Sequence, residues 1–191
     1  MSKNKKEIIF LIQAFEQPRI LKKIIEKSYE FDKVKVYGFT RKIHAVNNYS
    51  LLDDYDNIDY EISGVFTDKK YSNRIFSYLR LLWSIYSNHG FKEKLLYVVG
   101  IDLRILSFLV INAKIDYVIS DIVWLYHSKT RKAIFRFIDT RLAGKSRKVL
   151  FTSRGFYDAH YSAYVQESQV EITENKLATY GKVQPLETLK E

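Results

Sequence analysis

The chain contains no cysteine, which excludes a disulfide framework, a thiolate metal site and cysteine catalysis together. Proline occurs twice and glycine seven times in 191 residues. So little of either excludes collagen and low-complexity chains and leaves few glycines for loops that cradle phosphate. Long apolar runs are missing too. The longest, 105–111, is interrupted by Ser107 and flanked by Arg104 and Asn112, well short of the roughly 20 residues a spanning helix needs. At the N-terminus a basic stretch, 2–6, precedes an apolar run, 8–12, too short for a signal-peptide core, and no small-residue cleavage site follows. These absences predict a cytoplasmic protein.

Aromatic residues and positive charge are abundant. There are 15 Tyr, 12 Phe and 2 Trp, and 31 Lys and Arg stand against 22 Asp and Glu, a net charge of +9. That balance points to an anionic partner: nucleic acid, a phosphorylated ligand or a membrane surface. With 47% apolar residues the chain can bury the core of one large domain.

Short apolar runs alternate with helical patterns. Runs at 8–13, 34–39, 60–66, 95–99, 117–120 and 148–152 predict strands. Ile20, Leu21, Ile24 and Ile25 recur at helical spacing. So do Ile75, Tyr78, Leu79, Leu82, Ile85 and Tyr86, in a helix stopped at Asn88-His89-Gly90. Further helices are predicted over 103–113, apolar nearly all round, over 128–143, and over 155–164. Strands that are apolar continuously belong to a sheet covered on both faces. Alternating β and α units then predict an α/β fold, a Rossmann-like, doubly wound and mainly parallel sheet, over 1–175. The polar, aperiodic stretch 176–191 reads as a linker toward a further domain.

Familiar motifs fail one by one. Gly144-Lys145-Ser146 has Asp139 where a P-loop needs its first glycine, and a helical pattern precedes it; a helix end followed by a solvated basic turn is the better reading. No glycine pair supplies a dinucleotide fingerprint. Arg154-Gly155-Phe156 opens like an RNA-recognition string that Tyr157-Asp158-Ala159 breaks. His44, His89, His127 and His160 are too scattered for a zinc site.

Charge is concentrated. Between 128 and 148 lie Lys129, Arg131, Lys132, Arg136, Arg141, Lys145, Arg147 and Lys148 against Asp139 alone. One reading is a solvated helix face. The other is a patch for anionic lipid, centred on Lys129, Arg131, Lys132 and Arg136, with Ile134, Ile138 and Leu142 turned to the sheet. In an open parallel sheet, ligands bind beyond the carboxyl ends of the strands. Here those ends carry Gln13, Phe15, Glu16, Arg41, Gly100, Asp102, Asp121, Ser153 and Arg154, a mixture suited to a polyol or a phosphorylated compound.

Four strings in order, 97–102 (YVVGID), 117–122 (YVISDI), 149–156 (VLFTSRGF) with Tyr161, and 172–176 (ITENK), resemble the N-terminal domain of family 4-type glycosyltransferases. Those enzymes have the two-domain GT-B architecture and act in bacterial capsule and cell-surface polysaccharide synthesis. The resemblance spans about 95–176. Ala14-Phe15-Glu16 departs from the Gly-Gly turn of many relatives, and Ser120 from part of their acidic stretch. It implies the acceptor-side half of a hexosyltransferase whose nucleotide-sugar donor binds a C-terminal domain that this sequence does not contain. No catalytic metal and no cofactor are implied. The acceptor would be a saccharide, lipid-linked, held over the strand ends at the inner face of the membrane. Asp121 is the first choice as base and Asp102 the second; Gln13, Phe15, Glu16, Arg41, Gly100, Ser153 and Arg154 would line the acceptor site. The alternative is a basic α/β module binding nucleic acid or a phosphorylated partner, although the resemblance implies no nucleic acid.

Overall fold

The computed structural model describes residues 6–41, 48–66 and 71–173, with the side chains of Arg41, Asn48, Phe66 and 71–73 left out. Expectations for His44, for 174–176 of the last string and for the linker 176–191 lie outside the described residues. Seven strands form one sheet: β1 (Glu7–Ile12), β2 (Lys33–Arg41), β3 (Ile58–Phe66), β4 (Lys94–Val99), β5 (Ala113–Ile119), β6 (Lys148–Phe151) and β7 (Val170–Ile172). Their order is β3-β2-β1-β4-β5-β6-β7 and every pair is parallel. The chain winds outward from β1 to β3, crosses back, and continues from β4 to β7. The fold is α/β and Rossmann-like, with its topological switch between β1 and β4.

Strand alternation explains the unbroken apolar runs. Ile9 and Leu11 enter one core with Val98, Tyr117 and Phe151, while Ile8, Phe10 and Ile12 enter the other with Val36, Tyr97 and Leu150. On the second face lies α1 (Pro18–Ser28), contributing Leu21 and Ile24. The first face carries α2 (Tyr71–His89), α3 (Ile101–Ser107) and α4 (Lys129–Gly144). A one-turn helix, α5 (Arg154–Phe156), runs into a wide turn over Tyr157–Tyr161.

Four expectations need correction. The helix beginning near Leu103 does not reach residue 113: Phe108, Leu109 and Val110 donate to carbonyls three residues back, Asn112 takes φ +56°, and Ala113 already opens β5. Past Ser107, Phe108, Leu109 and Ile111 are therefore exposed, and only Val110 turns into the core. In α2, Leu81, Leu82 and Ile85 face the core with Tyr78, whereas Ile75 and Leu79 point outward, 60% and 56% exposed. In α4 the inward residues are Phe135, Asp139 and Ala143, and Ile134, assigned to the inner face, is 54% exposed. The turn after Gly144 is not wholly solvated, because Ser146 is buried between Arg104 and the Leu142 carbonyl. β7 was not foreseen at all; three residues flanked by polar ones carry too little period to read.

α2 is anchored at its C-terminal end by a polar knot. His89 Nε2 lies 3.1 Å from the Tyr37 hydroxyl, which also accepts from Asn88 Nδ2 at 3.0 Å, and His89 Nδ1 is 3.5 Å from Glu7. Burial pushes the Tyr37 phenol up to about 12 and pushes the His89 imidazole below its ordinary 6.5, against the opposing pull of Glu7. The unfolded chain therefore takes up this proton first. Stability is unaffected by His89 above 6.5 and falls as pH drops through 6.5 toward the lower folded value. His160, lowered by burial, Arg136 and Lys132, acts in the same direction. In thermal melts across this window His89→Gln should remove part of the acid loss. An unchanged slope would overturn the assignment.

Candidate functional site

At the carboxyl ends of β1, β4, β5 and β6 lies a cavity of about 610 Å³, the size of a small-molecule site. Gln13 and Gly100 form its floor at the switch point, Ser120 and Asp121 follow β5, Thr152 follows β6, and Arg19 and Lys23 reach over from α1. Carboxylates, hydroxyls, two amides and two cations thus surround a wall made by Tyr97, Val99 and Leu150.

The floor is fixed by backbone and side chain together. Gly100 takes φ +93°, and a Cβ there would stand 2.7 Å from the Gln13 amide; only glycine lets that amide lie flat over the turn. Gln13 Nε2 donates to one oxygen of Asp102, and the Tyr78 hydroxyl donates to the other at 2.5 Å. Both carboxylate oxygens are engaged within the protein. Burial and the Asp102 charge raise the Tyr78 phenol well above its usual range, so it stays a donor.

Of the residues singled out from sequence, Gln13, Glu16, Gly100 and Asp121 line the cavity. Asp102 does not line it; it sits behind Gln13 and orients it. Phe15 is fully buried against Tyr49 and Tyr60, its NH bonded to the Phe39 carbonyl. Ser153 is the N-cap of α5, its Oγ accepting from Gly155 N. Arg154 is held by Glu167 and by Asp158 at 3.0 Å, over the Tyr157 ring; Glu167 comes first in raising its guanidinium. Neither residue lines the cavity. Arg41 ends β2, and its side chain is outside the described residues.

Sequence reasoning missed Arg19, Lys23, Thr152 and Trp124. Arg19 and Lys23 are four apart on the polar face of α1, a face that reads as solvated unless the sheet edge beyond it is known. Asp139 was missed as well. It is 3% exposed in the cavity wall and accepts from Tyr117 Oη at 2.7 Å, Trp124 Nε1 at 3.0 Å and Tyr161 Oη. Arg136 lies over Trp124 at 5.7 Å, and Lys132 and Arg136 both depress His160. These two cations therefore sit beside the cavity, while Lys129 and Arg131 are exposed at the start of α4.

Among the described residues no helix is long and apolar enough to cross a membrane. Compared with protein-family models and with curated proteins, the chain matches none.

Proposed function

We propose that the chain is the acceptor-binding half of a GT-B glycosyltransferase that moves a sugar from a nucleotide-sugar donor to a saccharide acceptor. The donor would bind a second domain, facing this cavity. What carries the reading is the cavity itself: it opens at the switch point and is lined by Gln13, Ser120, Asp121 and Thr152, groups that accept and donate to neutral hydroxyls. The strings resembling that family fall on β4 and the start of α3, on β5, and on β6 and α5, and all of these but α5 line the cavity. Asp121 lines that cavity, and in this reading it takes the proton of an acceptor hydroxyl. Asp102 positions Gln13 instead. Arg19 and Lys23 face the same space and suit a phosphate carried by either substrate. A lipid-linked acceptor would bring the enzyme to the inner face of the membrane in capsule or surface polysaccharide synthesis.

Amide shifts followed by NMR during titration with mono- and oligosaccharides test this. The amides of Gly100, Ser120, Asp121 and Thr152 should move, and Asp121→Asn should weaken the response. The chain alone should transfer no sugar, since holding one substrate forgoes the roughly 7–11 kcal/mol that juxtaposing both supplies. Turnover of a nucleotide sugar by these 191 residues would refute the two-domain reading. Binding of single-stranded nucleic acid at these amides, with no response to sugars, would favour the basic binding module.

A further inference from the structure

The helix layer formed by α2, α3 and α4 is unusual in its outer surface. From α2 it exposes Phe76, Leu79 and Trp83, at 73%, 56% and 75%. Positions 76, 79 and 83 recur at three and four residues and share one side of the helix. α3 and its exit turn expose Phe108 and Leu109, at 65% and 57%, and α4 exposes Ile134 and Phe137. The three helices are joined side by side. Tyr86 of α2 donates to the Leu109 carbonyl at 2.6 Å, and Arg104 of α3 donates to the Leu142 carbonyl of α4 at 2.8 Å. Single exposed apolar residues are ordinary; a connected set across three helices marks a surface that meets something.

The charges say what. α2 contains no Asp or Glu, α3 only Asp102 and α4 only Asp139. Asp102 is engaged by Gln13 and Tyr78, and Asp139 is buried. None of the three helices turns an acid of its own outward, although Glu61 of β3 lies beside α2 and accepts from Ser84 at 2.6 Å, and the helices' cations stand among the apolar side chains. On α4 and its C-cap, Ile134, Phe137, Arg141 and Lys145 follow one another at three- and four-residue steps along one side. Arg141 lies 5.4 Å over the Phe137 ring, and Lys145 lies 6.0 Å over the Phe108 ring of α3. On the opposite face of the sheet, by contrast, Lys22 and Lys23 pair with Glu26, and Lys27 with Glu30. Of the eight basic residues between 128 and 148, Arg147 pairs with Asp116 and Lys148 with Glu171, away from this layer.

We infer that the outer face of α2, α3 and α4 is a docking surface for an anionic lipid bilayer, seating Phe76, Trp83, Phe108 and Phe137 among the lipids while Arg141 and Lys145 reach the headgroups. Long cationic side chains lying along aromatic rings suit this depth, with apolar stems inward and charged heads at the phosphates. A second copy of the chain would bring two basic faces together and be repelled. The attraction thus joins insertion to charge, through Arg141 and Lys145 rather than through Lys132 and Arg136. The inference rests on the membrane part of the function proposed above, and sugar titration and vesicle binding fail independently.

Co-sedimentation of the whole chain with vesicles of phosphatidylcholine, alone or mixed with phosphatidylglycerol, tests it. Binding should require the anionic lipid and weaken at high salt. Trp83 is exposed and Trp124 buried, so emission should shift to the blue on binding, and the shift should vanish in Trp83→Phe. Changing Arg141 and Lys145 together to Ser should weaken binding about thirtyfold, two cations at roughly 1 kcal/mol each. Phe137→Ser, at an exposed position that leaves folding intact, should weaken it about tenfold or more. Equal binding to both vesicle types, binding without a Trp83 shift, or unchanged binding by the folded Phe137→Ser variant would each overturn the proposal. So would self-association abolished by Phe137→Ser with no vesicle binding.

Discussion

Replacing Asp139 with Ala should destabilise the fold by about 3–5 kcal/mol, read from urea unfolding. The substitution strands three buried donors at once: the hydroxyls of Tyr117 and Tyr161 and the indole NH of Trp124. It also removes the counter-charge of Arg104, which is 2% exposed, bonded to Ser107, Ser146 and the Leu142 carbonyl, and stacked over Tyr117 at 5.9 Å. Asp139→Asn keeps one acceptor oxygen and should cost less, about 1–3 kcal/mol. Burial raises the Asp139 carboxyl above its ordinary 3.8, opposed by the three hydrogen bonds and Arg104. A carboxyl raised in the folded state contributes most stability at low pH and loses it as pH rises through the folded value. The gap between wild type and Asp139→Asn should therefore narrow from acid toward neutral pH. An Asn variant as stable as wild type throughout would show that the cluster does not hold β5, α4 and the turn at Tyr161 together.

Asp139 also marks the limit of what the sequence discloses. One carboxylate among eight basic residues reads as a minor term in a solvated helix; its burial depends on Tyr117, Trp124 and Tyr161 arriving from three other segments. Facing residues on α4 were misread for the same reason. Ile134 fits the expected stripe with Ile138 and Leu142, yet it is 54% exposed, while Phe135, Asp139 and Ala143 turn inward. The parallel sheet was legible because buried strands write their own signal, with alternate residues of Ile8–Ile12 entering the two cores. Gln13, Gly100 and Asp121 were legible because strand ends in such a sheet converge by topology alone. Arg19 and Lys23 were not, since their inclusion follows from the angle at which α1 crosses the sheet.

The turn at Gly100 carries the second large effect. Gly100→Ala places a side chain at φ +93°, a region L-residues rarely occupy, at a cost of about 1–3 kcal/mol from the backbone alone. The new methyl would also stand 2.7 Å from both the carbon and the nitrogen of the Gln13 amide, forcing that side chain off Asp102. Two contributions are thus expected, and they separate experimentally. Gln13→Ala by itself should be mildly destabilising, because Asp102 loses one donor while keeping the Tyr78 hydroxyl. Combined with Gly100→Ala it removes the obstruction, so the double variant should be more stable than the sum of the single losses by about 0.5–3 kcal/mol. Saccharide-induced shifts at Ser120 and Asp121 should weaken in every variant that displaces Gln13. Simple additivity of the two substitutions would mean that the Gln13 amide does not rest on Gly100, and that the floor of the cavity is set by the backbone alone.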